Sequence, residues 1–170
     1  MKLHIGGKTP KEGWKILNIQ KFDGVDYVGD LSDLTQFSEN SFNEIYASHV
    51  LEHVGQRKVK QALLGINRIL TKGGKLYISV PDMDILCKMF IDKKAGGSAK
   101  FDVMRMMFGG QTDQHDFHYF GWNFQFLKAY LEGTNFRKIE QVKSFDLFND
   151  SSDVKLFGFP ISLNVIAYKQ

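Results

Sequence analysis

Five short apolar runs, each closed by turn residues, constrain this chain more than any other feature. Leu3–Ile5 ends in Gly6-Gly7, Trp14–Ile19 follows, and Val25–Val28 closes at Gly29-Asp30. A fourth run lies within Phe42–Val50, behind the polar turn Ser38–Ser41, and a fifth, Lys75–Val80, ends at Pro81. Before the fifth run, Val59, Ala62, Leu63, Ile66, Ile69 and Leu70 recur at helical spacing. Gly73-Gly74 is expected to stop that helix, with Lys72 in its last turn. Strands alternating with helical stretches over short connections predict an α/β fold on a parallel sheet.

The second half has a different texture. Met83–Asp92 and Phe101–Phe108 read as helices, and Asn123 is placed to cap a third that carries Leu127, Tyr130 and Leu131 and stops at Gly133. Phe136–Phe145 and Ile161–Tyr168 read as strands with no helix between them, which predicts an antiparallel pair on the sheet edge. Cys87 sits among apolar neighbours on a predicted helix and is expected to be buried and inert. A length of 170 residues suits one domain, 1–170, with 82–125 as an inserted acceptor-side or lid segment.

Composition narrows the function classes. Lys and Arg number 22 against 19 Asp and Glu, and the basic residues form no stripe. No nucleic-acid partner is therefore expected. No apolar run approaches the ~20 residues that span a bilayer and no secretory leader is visible, so a cytoplasmic protein without a membrane partner is expected. The 15 Phe include Phe101, Phe108, Phe117, Phe120, Phe124 and Phe126, which crowd the segment expected to form the lid.

In a parallel sheet, ligands sit beyond the carboxyl ends of the strands. That rule selects Gly6-Gly7, Asn18–Gln20, Asp30-Leu31, Ser48-His49 and Pro81-Asp82. Glycines let backbone approach a ligand, a polar residue after the second run suits a ribose, and Asp30 can accept from an adenine amino group. The loop DQHDFHYFGW adds Asp113, His115, Asp116 and His118. His118 is the candidate general base, with Asp116 orienting it; the same pair could instead simply pin the loop. Neither a helical HExxH frame nor a cysteine partner accompanies these residues, so no metal is expected there. At the fourth run, His49 is expected on the cofactor or acceptor side, while Glu52 and His53 are expected to cap the following helix. His4, inside the first run, is either a site residue or a core histidine.

The stretches VGDLSDLTQFSENSFNEIYASHVLEHV and NRILTKGGKLYISVPDMD resemble the class I S-adenosylmethionine-dependent methyltransferases. LHIGG, GWKILNI and MFGGQTDQHDFHYFGWNFQFLKAYLEGTNFRKIE extend the resemblance, over nearly the whole chain, to a compact bacterial group of predicted methyltransferases. It implies a Rossmann-like, seven-stranded, mostly parallel sheet with an antiparallel last strand and helices on both faces. It implies S-adenosylmethionine as cofactor, held by His4, Gly6, Gly7, Asn18, Asp30, Leu31, Ser48 and His49, and a small-molecule or saccharide-type acceptor. Two positions depart from the family pattern. The G-x-G turn is a contiguous Gly6-Gly7 followed by Lys8, and Asn18 stands where an acidic residue is usual, weakening a ribose contact by on the order of 1 kcal/mol. The sequence begins at the first run, without the helices that often cover the cofactor, so some other segment, or a second subunit in a homodimer, is expected to cover it. These departures keep open an alternative, a non-catalytic binding or assembly module whose cleft is filled by Lys8 or an aromatic side chain.

Overall fold

Strand alternation sorts the side chains of this protein between two unlike faces of one sheet. The computed structural model describes all 170 residues. The five apolar runs become β1 (Lys2–Ile5), β2 (Trp14–Asn18), β3 (Tyr27–Val28), β4 (Phe42–Ser48) and β5 (Leu70–Pro81). Helix α1 (Gln56–Ile69) precedes β5, and α2 (Met83–Ile91), α3 (Gly97–Phe108) and α4 (Phe124–Glu132) follow it. The chain closes with β6 (Phe136–Val142), a small hairpin of β7 (Lys155–Leu156) and β8 (Phe159–Pro160), and β9 (Ser162–Lys169). Seven strands form one sheet in the order β3-β2-β1-β4-β5-β9-β6. Only β9 runs against its neighbours, pairing antiparallel with β5 and with β6, so the expected antiparallel pair at this edge is present. The order reverses between β1 and β4, which places a crevice beyond their carboxyl ends.

One face is apolar. Leu3, Ile5, Leu17, Ile45, Ala47, Leu76, Ile78, Val80, Leu163 and Val165 meet Val59, Leu63 and Ile66 of α1 and Leu127 and Leu131 of α4. Each fully buried Leu or Ile contributes about 1.5–3 kcal/mol from apolar transfer. Helix α4 starts as expected, since Asn123 Oδ1 accepts from the Phe126 amide at 2.9 Å, and it ends at Gly133.

Aromatic residues dominate the opposite face. Trp14, Tyr46 and Tyr77 are covered by Phe145, Leu147 and Phe148 from the segment after β6. Asn164 straps that segment down by donating to the Lys143 and Ser152 carbonyls at 3.1 and 3.0 Å. That segment contains a single 3-10 turn, Ser151–Asp153. The polar residues there bond their own backbone, as when Asp150 Oδ1 accepts from the Ser152 amide.

Other expectations shift by local chemistry. Helix α1 ends at Ile69, before the glycine pair, because Leu70 already pairs with Phe42 in the sheet. The β7–β8 hairpin was not anticipated; its turn is Phe157-Gly158 at φ +50° and +84°. Helices α2 and α3 bury only Leu86 and Val103 against Ile161, and Cys87, expected in that core, points to solvent. No helix is long and apolar enough to cross a membrane.

Candidate functional site

The carboxyl ends of β1, β2, β3 and β4 open onto a cleft of about 540 Å³, within the range that holds small-molecule ligands and cofactors. Ile5, Gly6, Leu17, Asn18, Asp30, Leu31, His49 and Val50 line one side, and residues 112–116 with Tyr119 face them. Gly6 adopts φ +76°, and a Cβ there would stand 2.2 Å from Val50 Cγ1. The turn therefore needs glycine for both its conformation and its closeness to the cleft wall. Asp30 Oδ1 accepts from the Ser32 amide at 2.7 Å, an Asx turn that fixes the side chain.

Five of the eight residues proposed to touch a cofactor border this cleft: Gly6, Asn18, Asp30, Leu31 and His49. Asn18 is committed to backbone. Its Nδ2 donates to the Gly7 carbonyl at 3.0 Å and its Oδ1 accepts from the Gln20 amide at 3.0 Å. A carboxylate could not make the first bond, which accounts for Asn at this position. His4, Gly7 and Ser48 do not line the cleft. Alternation turns Ser48 toward the second face, where its hydroxyl donates to Asp150 at 3.3 Å. His4 lies beneath Gly7, whose absent Cβ would stand 2.7 Å from the imidazole, and packs on Phe148 and Tyr46 with ring centroids 4.2 and 4.9 Å away. It is the core histidine of the two alternatives.

Burial pushes the His4 pKa from 6.5 down to about 4. A base whose folded pKa lies below its unfolded value contributes its full stability above the unfolded pKa. That contribution is lost as pH falls through the folded pKa, here from about 6.5 to about 4. At about 1.4 kcal/mol per unit, the loss attributable to His4 is roughly 3 kcal/mol. His4→Phe is expected to remove most of that slope. Urea midpoints measured from pH 7 to pH 4.5 check it, and an unchanged slope would show that His4 does not carry the effect.

The facing loop is held shut at its neck. The Gln111 amide donates to the Asp116 carbonyl at 3.0 Å and the His118 amide to the Phe108 carbonyl at 3.1 Å. Gly109, at φ +85°, lets the strands of the neck meet, since a Cβ there would stand 2.1 Å from the Asp116 carbonyl oxygen. The expected Asp116–His118 pair is not formed. Asp116 Oδ2 accepts from the Thr112 hydroxyl and amide at 2.8 and 3.2 Å, whereas His118 Nδ1 bonds the Met106 carbonyl at 3.0 Å. Burial opposes ionisation of Asp116, but the Thr112 bonds outweigh it and hold the carboxyl below its ordinary range. Burial, then the neighbouring His53, lowers His118 to about 4. An imidazole of that pKa is a poor general base near neutral pH. The phenylalanines do not form a lid either: none of them lines the cleft, and Phe101, Phe108 and Phe126 are more than half exposed.

Sequence reasoning missed what lies beside the cleft. The amides of Tyr119 and Phe120 both donate to the Glu52 carbonyl, at 2.8 and 3.3 Å, docking the loop on the turn after β4. His53 and His118 are thereby brought to 4.8 Å between ring centroids. Neither Glu52 nor His53 caps α1, whose N-cap is Gly55 with no side-chain bond. Glu52 is 1% exposed, and burial raises its carboxyl to about 8. His49, held at φ +51°, is lowered to about 4 by burial. Its Nδ1 stands 3.5 Å from Glu52 Oε1, a contact between neutral groups at pH 7. The signal available in the sequence was the His49-Glu52-His53 spacing, but nothing local says that the carboxyl is buried.

A seven-stranded, mostly parallel sheet whose order reverses between β1 and β4, with one antiparallel strand, has the Rossmann-like fold of the class I S-adenosylmethionine-dependent methyltransferases. Residues 11–78 match the family described as methyltransferase domain. No curated protein sequence gives a significant match. Among solved structures, the chain is similar to an S-adenosylmethionine-dependent methyltransferase of Thermotoga maritima, described as a possible histamine N-methyltransferase. That likeness has 16% identity and a TM-score of 0.64, over 99% of this chain and 82% of the other. A second is the 1,6-didemethyltoxoflavin N1-methyltransferase of Burkholderia thailandensis, solved with 1,6-didemethyltoxoflavin and S-adenosylhomocysteine. It has 14% identity and a TM-score of 0.61, over 99% of this chain and 70% of the other. A third, the CurJ carbon methyltransferase, has 14% identity and a TM-score of 0.58; the match covers 98% of this chain but only 47% of that one.

Proposed function

We propose that this protein binds S-adenosylmethionine in the strand-end cleft and transfers its methyl group to a small-molecule or saccharide-type acceptor. The observation that carries the reading is convergence: Gly6 after β1 and Asp30-Leu31 after β3 come from separate strand ends yet border one cleft, and the loop 112–116 walls the same space. The residues fit the cofactor. Gly6 leaves backbone bare at the cleft wall, Asp30 keeps its Oδ2 free to accept, and buried Leu31 offers an apolar surface. When bound, S-adenosylmethionine supplies an electrophilic methyl group on a sulfonium. The chain has then to hold and align the acceptor, which needs no protein nucleophile. The segment 82–125 supplies the acceptor side in this reading, since its residues 112–116 and 119 form the far wall. Small-molecule acceptors also accord with the toxoflavin-precursor enzyme whose fold the chain shares. Lys8 is exposed and borders the cleft, which speaks against its filling the cleft as the non-catalytic alternative would have it.

Calorimetric titration with S-adenosylhomocysteine tests the reading. One-to-one binding is expected, and Asp30→Ala should weaken it about 10-fold or more, the worth of one hydrogen bond to a charged group. Absence of heat at millimolar ligand, or an Asp30→Ala titration that overlays the wild type, counts against it.

A further inference from the structure

We propose that Glu52, His53 and His118 form a binding site for a single divalent transition-metal cation, of the zinc type, in the wall beside the cleft. One ligand atom from each residue lies within 4.8 Å of the others. Metal bonds of about 2.0–2.2 Å set tetrahedral ligand edges of roughly 3.3 Å, so modest side-chain rotations close the site.

The hydrogen bonds around the imidazoles decide which nitrogens are free. His53 Nδ1 lies 3.0 Å from the Phe117 carbonyl, and His118 Nδ1 lies 3.0 Å from the Met106 carbonyl. A carbonyl only accepts, so both Nδ1 atoms carry the proton and both Nε2 atoms keep a lone pair. Metal-bound histidines are oriented by this kind of backbone partner on the other nitrogen. His49 is fixed in the same way. The Ser162 hydroxyl donates to the Ser151 carbonyl at 2.7 Å, so it accepts from His49 Nε2 at 2.8 Å, and His49 Nδ1 is left bare 3.5 Å from Glu52.

Glu52 supplies an independent observation. Its side chain is 1% exposed, and neither carboxylate oxygen has a hydrogen-bond partner. A buried carboxyl without partners is costly and needs an explanation. The cluster offers the two Glu52 oxygens and bare imidazole nitrogens, and the proton that burial keeps on Glu52 at pH 7 is the one a bound cation would displace. A cation is the group that satisfies all of them together. Two imidazoles and one carboxylate, without a thiolate, suit zinc and its first-row neighbours and leave an open coordination position. His53 borders the cleft, so that position gives the cation a role there: holding an acceptor oxygen and easing loss of its proton to solvent. That role, unlike the site, rests on the methyltransferase reading.

The test uses the full chain without an affinity tag, stripped with chelator. Zinc is titrated by calorimetry, and cobalt by the visible absorption of a low-symmetry site. One-to-one binding at about 1 μM or tighter is expected. Glu52→Gln and His118→Ala should each weaken it at least about 10–100-fold, while Cys87→Ser, which removes the exposed thiol, should leave it unchanged. Binding that fails in the wild type, or that survives His118→Ala within about threefold, overturns the site. S-adenosylhomocysteine titration of the same variants reports whether they are folded. Zinc binding without S-adenosylhomocysteine binding in the wild type would sink the cofactor reading and leave the metal site standing.

Discussion

Gly6→Ala is expected to weaken S-adenosylhomocysteine binding by about 100-fold, equivalent to about 2.7 kcal/mol. Two causes act together. The residue holds φ +76°, where an L side chain costs roughly 1–2 kcal/mol. The new Cβ would also meet Val50 Cγ1 at 2.2 Å, so the β1 turn or the Val50 wall must move. Both border the cleft, and either movement changes its shape. Gly13→Ala separates strain from site. Gly13 has φ +78°, but a Cβ there meets nothing within 4 Å and the residue lies outside the cleft lining. It should lose only the backbone cost, about 1 kcal/mol of stability, and keep its affinity. Equal affinities for the two variants would remove Gly6 from the site.

What the sequence made legible was whatever depends on near neighbours. Glycine and proline breaks located β1, β2 and the end of β5, although Gly73-Gly74 lies inside that strand, and Asn123 with Gly133 bounded α4, because caps and turns act over a few residues. The strand-end rule then found Gly6, Asp30 and Leu31 without knowledge of packing. Ser48, which the rule selected, and His4, which the resemblance implied, lie off the cleft, because the deciding fact is which way alternation turns the side chain and what covers that face. The cover is a segment about a hundred residues downstream, whose Asp150 and Phe148 reach back to them. Glu52 was illegible for the same kind of reason. Its burial follows from Tyr119 and Phe120 docking on its carbonyl, a contact that no local pattern encodes. The Asp116–His118 pair shows the opposite error. Proximity along the loop suggested a dyad, yet Thr112 and the Met106 carbonyl are the nearer partners once the neck closes.

Trp122→Ala is expected to cost about 4 kcal/mol, the usual range for emptying a buried aromatic site being about 3–5 kcal/mol. Trp122 is fully buried, stacks on Phe120 at 4.0 Å between ring centroids, and meets Tyr130 edge-on at 5.4 Å. Its carbonyl accepts from the Met83 amide at 2.8 Å, which ties the end of the loop to the start of α2. For a chain of this size the loss corresponds to a Tm lower by roughly 8–16 °C. Trp122→Phe should be far milder. The indole Nε1 is buried without a hydrogen-bond partner, and removing an orphaned donor returns about 1–3 kcal/mol against the smaller volume lost. Because the same packing holds the loop that carries His118 onto Glu52, Trp122→Ala should also weaken zinc binding, whereas Trp122→Phe should not. Thermal melts of both variants, with and without zinc, check the pair. A Tm difference between them under about 4 °C would mean that the ring's packing contributes little.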